Sequence, residues 1–376
     1  MITIEEINRF DQALGLKDQW NKLVDEAGLD VSLSFDFVMS LWEAYFEKRD
    51  LILLLAREEN ELTGIFPLYI SKENIFGTIT LNKIGLLTNS FFLYNDFIIK
   101  KGAQKSFDAV LHYLDAHYNN WDIFEITGFF VGVKNDSNAM RWLSQNRYKR
   151  FIKRKVSESL YVELDRSWEE YMHKKSHKSR YNLQIAGKKL EKDGRLEVKY
   201  FGKPQELDFI FDKVHEIESE SWRINKGTKG GIISAKRRKL HESYFKKAAA
   251  QDKLLAVFLY IDGECAAFVL GIIGKKICHL LNVGYKEKFK KYSPGLIAFN
   301  HFIKKLFELG VKEFNIEIAE WPGVEHLEWK KRWATGAKEN YWIWLYNGNR
   351  SYALCIYYLR RLSGFIKNIV FVGNLT

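Results

Sequence analysis

The stretch Leu280-Leu281-Asn282-Val283-Gly284-Tyr285 runs into a lysine-studded turn and then into Ser293-Pro294-Gly295. Its six residues predict a short buried strand closed by a glycine. Lys286, Lys288, Lys290 and Lys291 crowd the turn. Pro294 suits a first helical position, where a missing N–H costs nothing, and Ser293 before it has the chemistry of an N-cap. Leu296, Ile297, Phe299, Phe302, Ile303, Leu306 and Phe307 then recur at helical spacing until Gly310. Strand, basic turn and helix N-terminus bring unpaired amides and the positive end of a helix to one place, a seat for phosphate or pyrophosphate. An ordinary α/β crossover with solvated lysines has the same outline, and the glycine-rich phosphate fingerprints are absent.

Outward from this unit the pattern repeats. Leu254–Tyr260 and Cys265–Ile273 read as strands joined by the turn Ile261-Asp262-Gly263-Glu264. With Glu61 set against Glu264, the strands spanning Leu51–Ile70 form the same hairpin as Leu254–Ile273. Helix Ser106–His117 and strand Trp121–Ile126 likewise anticipate helix Pro294–Leu309 and strand Lys312–Ile318. A duplicated α/β unit follows. The first copy enters its helix through Lys100-Lys101-Gly102-Ala103, without the Ser-Pro-Gly step, so only the second is equipped for a phosphate ligand. Residues 1–50 read as largely helical, and Thr78–Ile84 and Phe91–Ile99 as further strands. Between the copies lie a capping box, Ser167-Trp168-Glu169-Glu170, and the basic run Lys174 to Arg180. Tyr341–Leu345 predicts a last buried strand, and the final thirty residues a basic amphipathic helix that either docks on the protein or lies on a membrane.

The length of 376 residues exceeds one ordinary core, and 47% hydrophobic with 15% aromatic residues excludes a disordered chain. A net charge of +11 favours anionic partners: nucleotide phosphates, tRNA or an anionic membrane surface. Cys265, Cys278 and Cys355 show no zinc or disulfide spacing, which points to a reduced, cytosolic protein without structural metal. The first residues lack an export signal, and no apolar run reaches the roughly eighteen residues that span a bilayer.

Ser167–Gly194, Glu218-Ser219-Glu220-Ser221-Trp222-Arg223, the Tyr285…Tyr292-Ser293-Pro294-Gly295 turn and Lys330-Lys331-Arg332-Trp333 stand in an order with a family likeness. Over about residues 160–346, with a weaker echo across 30–130, the chain resembles the bacterial GNAT-like acyltransferases of the CelD/BioF2-like type, related to the FemABX aminoacyltransferases. It departs from them in two places. Phe314-Asn315-Ile316-Glu317 stands where the family commonly has Phe-Asp-Phe-Gly, and Trp329-Lys330 replaces a tyrosine-lysine pair. The resemblance implies an α/β (α+β) fold of two tandem GNAT-like domains, each a mixed, mostly antiparallel sheet flanked by helices. The expected boundaries are 1–160 for a degenerate first domain, 161–346 for the acyltransferase domain and 347–376 for the C-terminal helix.

It also implies transfer of an acyl group from acetyl-CoA or another acyl-CoA to an amine, such as an amino sugar of cell-surface polysaccharide synthesis, with no metal. The pyrophosphate would lie against Ser293, Pro294, Gly295 and Leu296, helped by Lys288, Lys290, Lys291 and Tyr292. A strand amide near Asn282 and Val283 would hold the oxyanion. Candidate bases are Glu218, which fits a Glu-x-x-Ser-Trp spacing, and Glu220 and Glu317; Tyr285 or Tyr292 would protonate the leaving thiolate. Two apart on one helix, Glu218 and Glu220 cannot both face a cleft. Trp222, Glu320, His326 and Lys330 are the candidate acceptor contacts, with Trp321, Trp329 and Trp333 as either pocket walls or core. Two other readings stay open: a FemX-like enzyme using aminoacyl-tRNA, and a non-catalytic accessory of a polysaccharide machine. The expected location is cytoplasmic, with the inner face of the membrane as a place of peripheral attachment.

Overall fold

A computed structural model describes residues 1–75, 79–87, 96–103, 105–130, 150–175, 190–193, 195–221, 235–318 and 328–363. The strands in chain order are β1 (Ile2–Ile7), β2 (Asp50–Glu58), β3 (Glu61–Ile75), β4 (Ile79–Leu86), β5 (Ile98–Ile99), β6 (Ile123–Phe130) and β7 (Phe151–Glu163). After them come β8 (Leu196–Phe201), β9 (Leu254–Ile261), β10 (Glu264–Ile273), β11 (Ile277–Tyr285), β12 (Glu313–Ile318) and β13 (Gly336–Tyr346). The helices are α1 (Lys17–Ala27), α2 (Phe35–Leu41), α3 (Lys105–His117), α4 (Trp168–His173) and α5 (Leu207–Ser219). They continue with α6 (Ala235–Ala249), α7 (Pro294–Glu308), α8 (Glu328–Lys331) and α9 (Ser351–Ser363).

Two compact units divide the chain, and they interleave where consecutive blocks were expected. The first is Met1–Leu29, Phe46–Val156 and Glu339–Thr376; the second is Asp30–Tyr45 and Ser157–Lys338. The stretch 30–45 joins the second unit because α2 packs on α6 there. Ser243 Oγ meets Ser40 Oγ at 3.0 Å, and Gln251 donates to Asp36 at 2.9 Å.

Each unit runs through the same strand order. In the first, β1, β2, β3 and β4 are antiparallel neighbours, β4 lies parallel to β6, and β13 closes antiparallel to β6. The second runs β8, β9, β10, β11, with β12 parallel to β11 and β7 antiparallel to β12. In both, the lone parallel pair is joined through a helix, α3 or α7, as parallel neighbours require. The duplication read from the sequence, and its fold class, are therefore what the chain adopts. One strand was missed: β1 was read as helix, although Ile2 and Ile4 alternate with polar residues in the manner of an edge strand. The expected strand Phe91–Ile99 is described only at β5, since 91–95 lie outside the described residues.

In the second unit α7 carries Ile297, Phe299, Phe302, Ile303 and Leu306 onto Cys278, Leu280, Phe314 and Ile316, all buried. Each such side chain is worth about 1.5–3 kcal/mol taken from water. Gly310, at φ +70°, ends the helix: Val311 N–H reaches the Leu306 carbonyl and Gly310 N–H that of Phe307. The first unit's core joins α3 to β2, β3, β4 and β6 through Phe107, Val110, Leu111 and Leu114. Its last helix, α9, docks with Ala353, Ile356 and Tyr357 on Leu81, Ile123 and Tyr346.

Candidate functional site

The central feature of the second unit is a fork between β11 and β12. Their parallel ladder holds Ile277 to Glu313, Cys278 to Phe314 and His279 to Asn315, and ends there. Beyond it β11 continues to Tyr285 along β10, and β12 to Ile318 along β7. Both strands carry a bulge just past their last shared pair. Leu281 is the extra residue of β11 against β10, and Ile316 that of β12 against β7. A bulge bends its strand and increases the local twist, so two of them at one level drive the strands apart.

Polar side chains fill the crotch of the fork. His279 Nε2 meets Asp30 Oδ2 at 2.8 Å, and both side chains are buried. Burial pushes the Asp30 carboxyl upward, but the imidazole beside it and the Ser32 amide hold it below the usual carboxylate range. Ser159 Oγ donates to Asn315 Oδ1 at 2.8 Å, also buried. Asn315 stands where the resembling family carries aspartate, and a neutral amide there is satisfied by a serine without a counter-charge.

At one edge of the fork stands Glu218, in the last turn of α5, whose Ile210, Val214 and Ile217 anchor it to the sheet. Glu218 is only 2% exposed. Asn282 Nδ2 donates to its Oε1 at 2.6 Å, while Asn282 Oδ1 accepts the Val283 N–H at 2.9 Å. Asn282 thus ties the candidate base to the candidate oxyanion amide. Glu220 turns outward instead, as the helical spacing required, and lies 3.0 Å from Lys286 Nζ. Lys286 itself is 2% exposed at its side chain and sits among Glu216, Glu220 and Glu264. Burial works against its charge, yet the hydrogen bonds to Glu216, Glu264 and Glu220 outweigh that and raise its pKa above the ordinary lysine value. Those three carboxylates have oxygens within 4.8 Å of one another, and the ammonium occupies the place a cation would take.

The other edge is the start of α7. Glu287–Tyr292 forms a 3-10 turn, and Ser293 follows in the left-handed region at φ 53°, ψ 47°. The expected side-chain cap by Ser293 is not made: its carbonyl instead takes the N–H groups of Leu296 and Ile297, and its own N–H goes to the Lys290 carbonyl. Left-handed backbone carries the chain past Pro294 but turns the hydroxyl away from the helix amides. The Gly295 N–H is left without a partner among the described residues. A Cβ at Gly295 would stand 3.2 Å from Cδ1 of Tyr285, so the Tyr285 ring lies directly over the helix start.

The lysines of the turn are not a free cluster. Lys288 pairs with Glu264 at 2.6 Å and Lys290 with Glu287 at 2.9 Å, while Lys291 lies over the Tyr292 ring at 4.9 Å. The Lys288 and Lys290 side chains are 53% and 67% exposed. Exposed pairs of this kind are worth about 0.2–1 kcal/mol, so a phosphate offering charge-assisted bonds can take either lysine from its partner. Arg195, bidentate to Asp262 at 2.6 Å, stacks 5.7 Å from Tyr292 and with Lys291 pulls the phenol below its ordinary pKa.

Lys330 is buried and donates to the Ile316 carbonyl at 2.9 Å, so it pins the β12 bulge. Trp333 is buried in the core, and Trp329 and Trp333 both pack on Phe299, at 5.0 and 5.4 Å. Glu317 lies on β12 opposite Leu160; its side chain, with Trp222, Glu320, Trp321 and His326, falls outside the described residues. The geometry adds Asp30, His279, Ser159 and Lys286 to the residues read from the sequence.

Residues 177–331 match the acetyltransferase (GNAT) domain family. The chain carries a GNAT-type acetyltransferase domain. FemX resembles the whole chain in structure, with TM-score 0.63 at 11% identity over 94% of this chain and 99% of that one. A conserved protein of unknown function from Bacteroides thetaiotaomicron gives TM-score 0.58 at 14% identity over 92% and 100%. L-PGS from Bacillus licheniformis gives 0.53 at 15% over 92% and 96%. At such identities these neighbours speak for the fold. Among curated proteins, none matches the chain. The family likeness read from the residues is borne out, and the GNAT domain coincides with the unit that holds the fork. No helix among the described residues is long and apolar enough to cross a membrane.

Proposed function

We propose that the GNAT domain transfers an acyl group from an acyl-CoA thioester to an amine. The observation that carries this reading is the fork, where among the described residues β11 from Leu280 to Tyr285 no longer pairs with β12, with the Gly295 amide at one edge and the Glu218–Asn282–Val283 chain at the other. The carrier's arm enters between β11 and β12, and its diphosphate rests on the start of α7 with Lys288, Lys290 and Lys291. The thioester carbonyl lies at Val283, whose N–H is released when Asn282 swings aside and stabilises the oxyanion as the amine attacks. Glu218 takes one proton from the bound ammonium before the freed amine attacks. As the C–N bond forms and the C–S bond breaks, Tyr285, over Gly295, gives its proton to the thiolate, and the surplus proton of the new amide nitrogen returns to the tyrosinate. The acceptor we assign is an amino sugar of a surface polysaccharide.

The test has two readouts. Acetyl-CoA and longer acyl-CoAs should raise the melting temperature, and thiol release should depend on an added amino sugar. No stabilisation by any of them at millimolar concentration ends the reading. Stabilisation by aminoacyl-tRNA instead, steeply weakened by salt, would move the donor to the FemX-like alternative that the +11 charge keeps open.

A further inference from the structure

The last helix is apolar on two sides. One side of α9 is docked through Ala353, Ile356 and Tyr357. The opposite side presents Tyr352, Cys355, Tyr358, Leu359 and Leu362 to solvent, with Tyr352 58%, Tyr358 54%, Leu359 52% and Leu362 62% exposed. Their spacing, three, three, one and three residues, sets them in one stripe along the helix. Scattered exposed leucines need no explanation, but a continuous stripe on a helix already anchored from behind does.

The segment that carries this stripe has charge of one sign only, although Arg350 pairs with Asp122 of the loop before β6 at 3.0 Å. From Asn347 to Thr376 the chain has Arg350, Arg360, Arg361 and Lys367 and no acidic residue. Arg360 bonds the Tyr346 hydroxyl at 3.1 Å, Arg154 adds its positive field at the same tyrosine, and Arg361 bonds the Tyr357 hydroxyl at 2.9 Å. Arg361, itself exposed, stands next to Tyr358 at the edge of the stripe, while Arg360 lies toward the docked side, where its hydrogen bond to Tyr346 holds it. A second copy of the chain is a poor occupant, because isologous pairing of this face would bring together two basic segments with no acidic residue between them.

We infer that the exposed face of α9 rests on an anionic lipid surface, with its leucines and tyrosines at the acyl boundary and the arginines among the headgroups. The 13 described residues of α9 are too few to cross a bilayer, and the inferred contact is one with the surface. Tyrosine, apolar in its ring and polar at its tip, suits that boundary, and each basic residue near an anionic leaflet adds to the attraction.

The full chain should co-sediment with vesicles of equal parts phosphatidylcholine and phosphatidylglycerol, less so as salt rises, and not with phosphatidylcholine alone. The exposed pair Leu359→Asp/Leu362→Asp should cut partition at least about tenfold, since each leucine kept out of hydrocarbon forgoes more than that. Its melting temperature and oligomeric state should stay those of the parent chain. Cys355 supplies a probe at the stripe itself, because Cys265 and Cys278 are buried. A polarity-sensitive dye on Cys355 should shift to the blue on adding the anionic vesicles. Several results would overturn the inference: no vesicle binding at low salt, undiminished binding by the double variant, a dye that does not shift, a Cys355 that resists labelling in the native chain because something covers the face, or a dimer that the double variant dissociates.

Discussion

Replacing Lys286 by methionine keeps the buried stem and removes the one cation shared by Glu216, Glu220 and Glu264. Those partners are 35%, 44% and 38% exposed at their side chains, so each lost bond counts as a solvent-screened one, roughly 0.5–1 kcal/mol. Lys213 and Lys288 still pair with Glu216 and Glu264, at 2.7 and 2.6 Å, which leaves one uncompensated charge in the cluster. With oxygens within 4.8 Å, that charge adds about 1 kcal/mol of repulsion at a water-like dielectric. The sum is about 2–4 kcal/mol, or roughly 5–10 °C of melting temperature for a unit of this size. Two signatures separate this from a merely misfolded variant. Glu216 is held below its ordinary pKa by Lys213 and Lys286, and Glu264 by Lys286 and Lys288. Their contribution is present above the ordinary value of 4.5 and is lost as pH falls through the depressed one, so the gap between variant and parent closes in acid. Millimolar calcium, which accepts carboxylate oxygens at such spacing, should raise the melting temperature of the variant and not of the parent. Differential scanning calorimetry across pH and calcium reads all of this. A variant within about one degree of the parent, or one deaf to calcium, would refute the view that Lys286 serves as the built-in cation of the cluster.

Glu218→Gln keeps an acceptor for Asn282 but cannot take a proton; thiol release should fall about 10²–10⁴-fold while acyl-CoA still raises the melting temperature. Transfer within threefold of the parent would remove Glu218 from the mechanism. Gly284→Ala would place a Cβ 2.6 Å from Cε1 of the buried Phe268, costing about 1–3 kcal/mol, and the added change Phe268→Leu should recover part of it in urea denaturation. His241 is driven by burial, and further by Arg237, from its ordinary 6.5 down to about 3. The folded state therefore refuses a proton that the unfolded state accepts, and stability falls as pH drops from 6.5 toward 3, by up to about 1.4 kcal/mol per unit. His241→Leu should flatten that slope in urea midpoints measured at several pH values.

The fold was legible where a residue's environment is set by its near neighbours. The strand ending at Tyr285, the helix opening at Pro294 and the duplicated hairpins all rest on periodicity and turn chemistry, and α7 stops at the glycine that only a left-handed cap explains. Glu218 was legible too, by its spacing to Trp222. The partners were not. Asn282 lies 64 residues from Glu218 and Asp30 lies 249 from His279, distances that only the folded sheet closes. Lys286 looks like any other lysine of the turn, and nothing local marks it as the one that is buried among three carboxylates. The capping role expected of Ser293 failed because a serine's preference for the cap presumes extended backbone, which the left-handed geometry at this step overrides.

The two copies differ in chemistry at the end of their parallel pair. In the first unit Lys83, Ile84 and Gly85 face Ile123, Phe124 and Glu125 across the parallel pair, just as Ile277, Cys278 and His279 face Glu313, Phe314 and Asn315 in the second. Glu125 thus occupies the position of Asn315. Lys83 bridges it at 3.1 Å, and Trp344 Nε1 donates to it at 2.9 Å. Glu125 and Glu73 hold the Lys83 pKa well up despite its burial. Here the half-buried carboxylate is satisfied from two sides, by the Lys83 ammonium and the Trp344 indole. Asn315 and Ser159 carry no net charge, so at this position the second fork is held by a neutral hydrogen bond, beside the buried His279–Asp30 pair. Both parallel ladders end after three pairs, so the copies differ at this level in the chemistry of one position: a glutamate paired with a lysine in the first, an asparagine paired with a serine in the second.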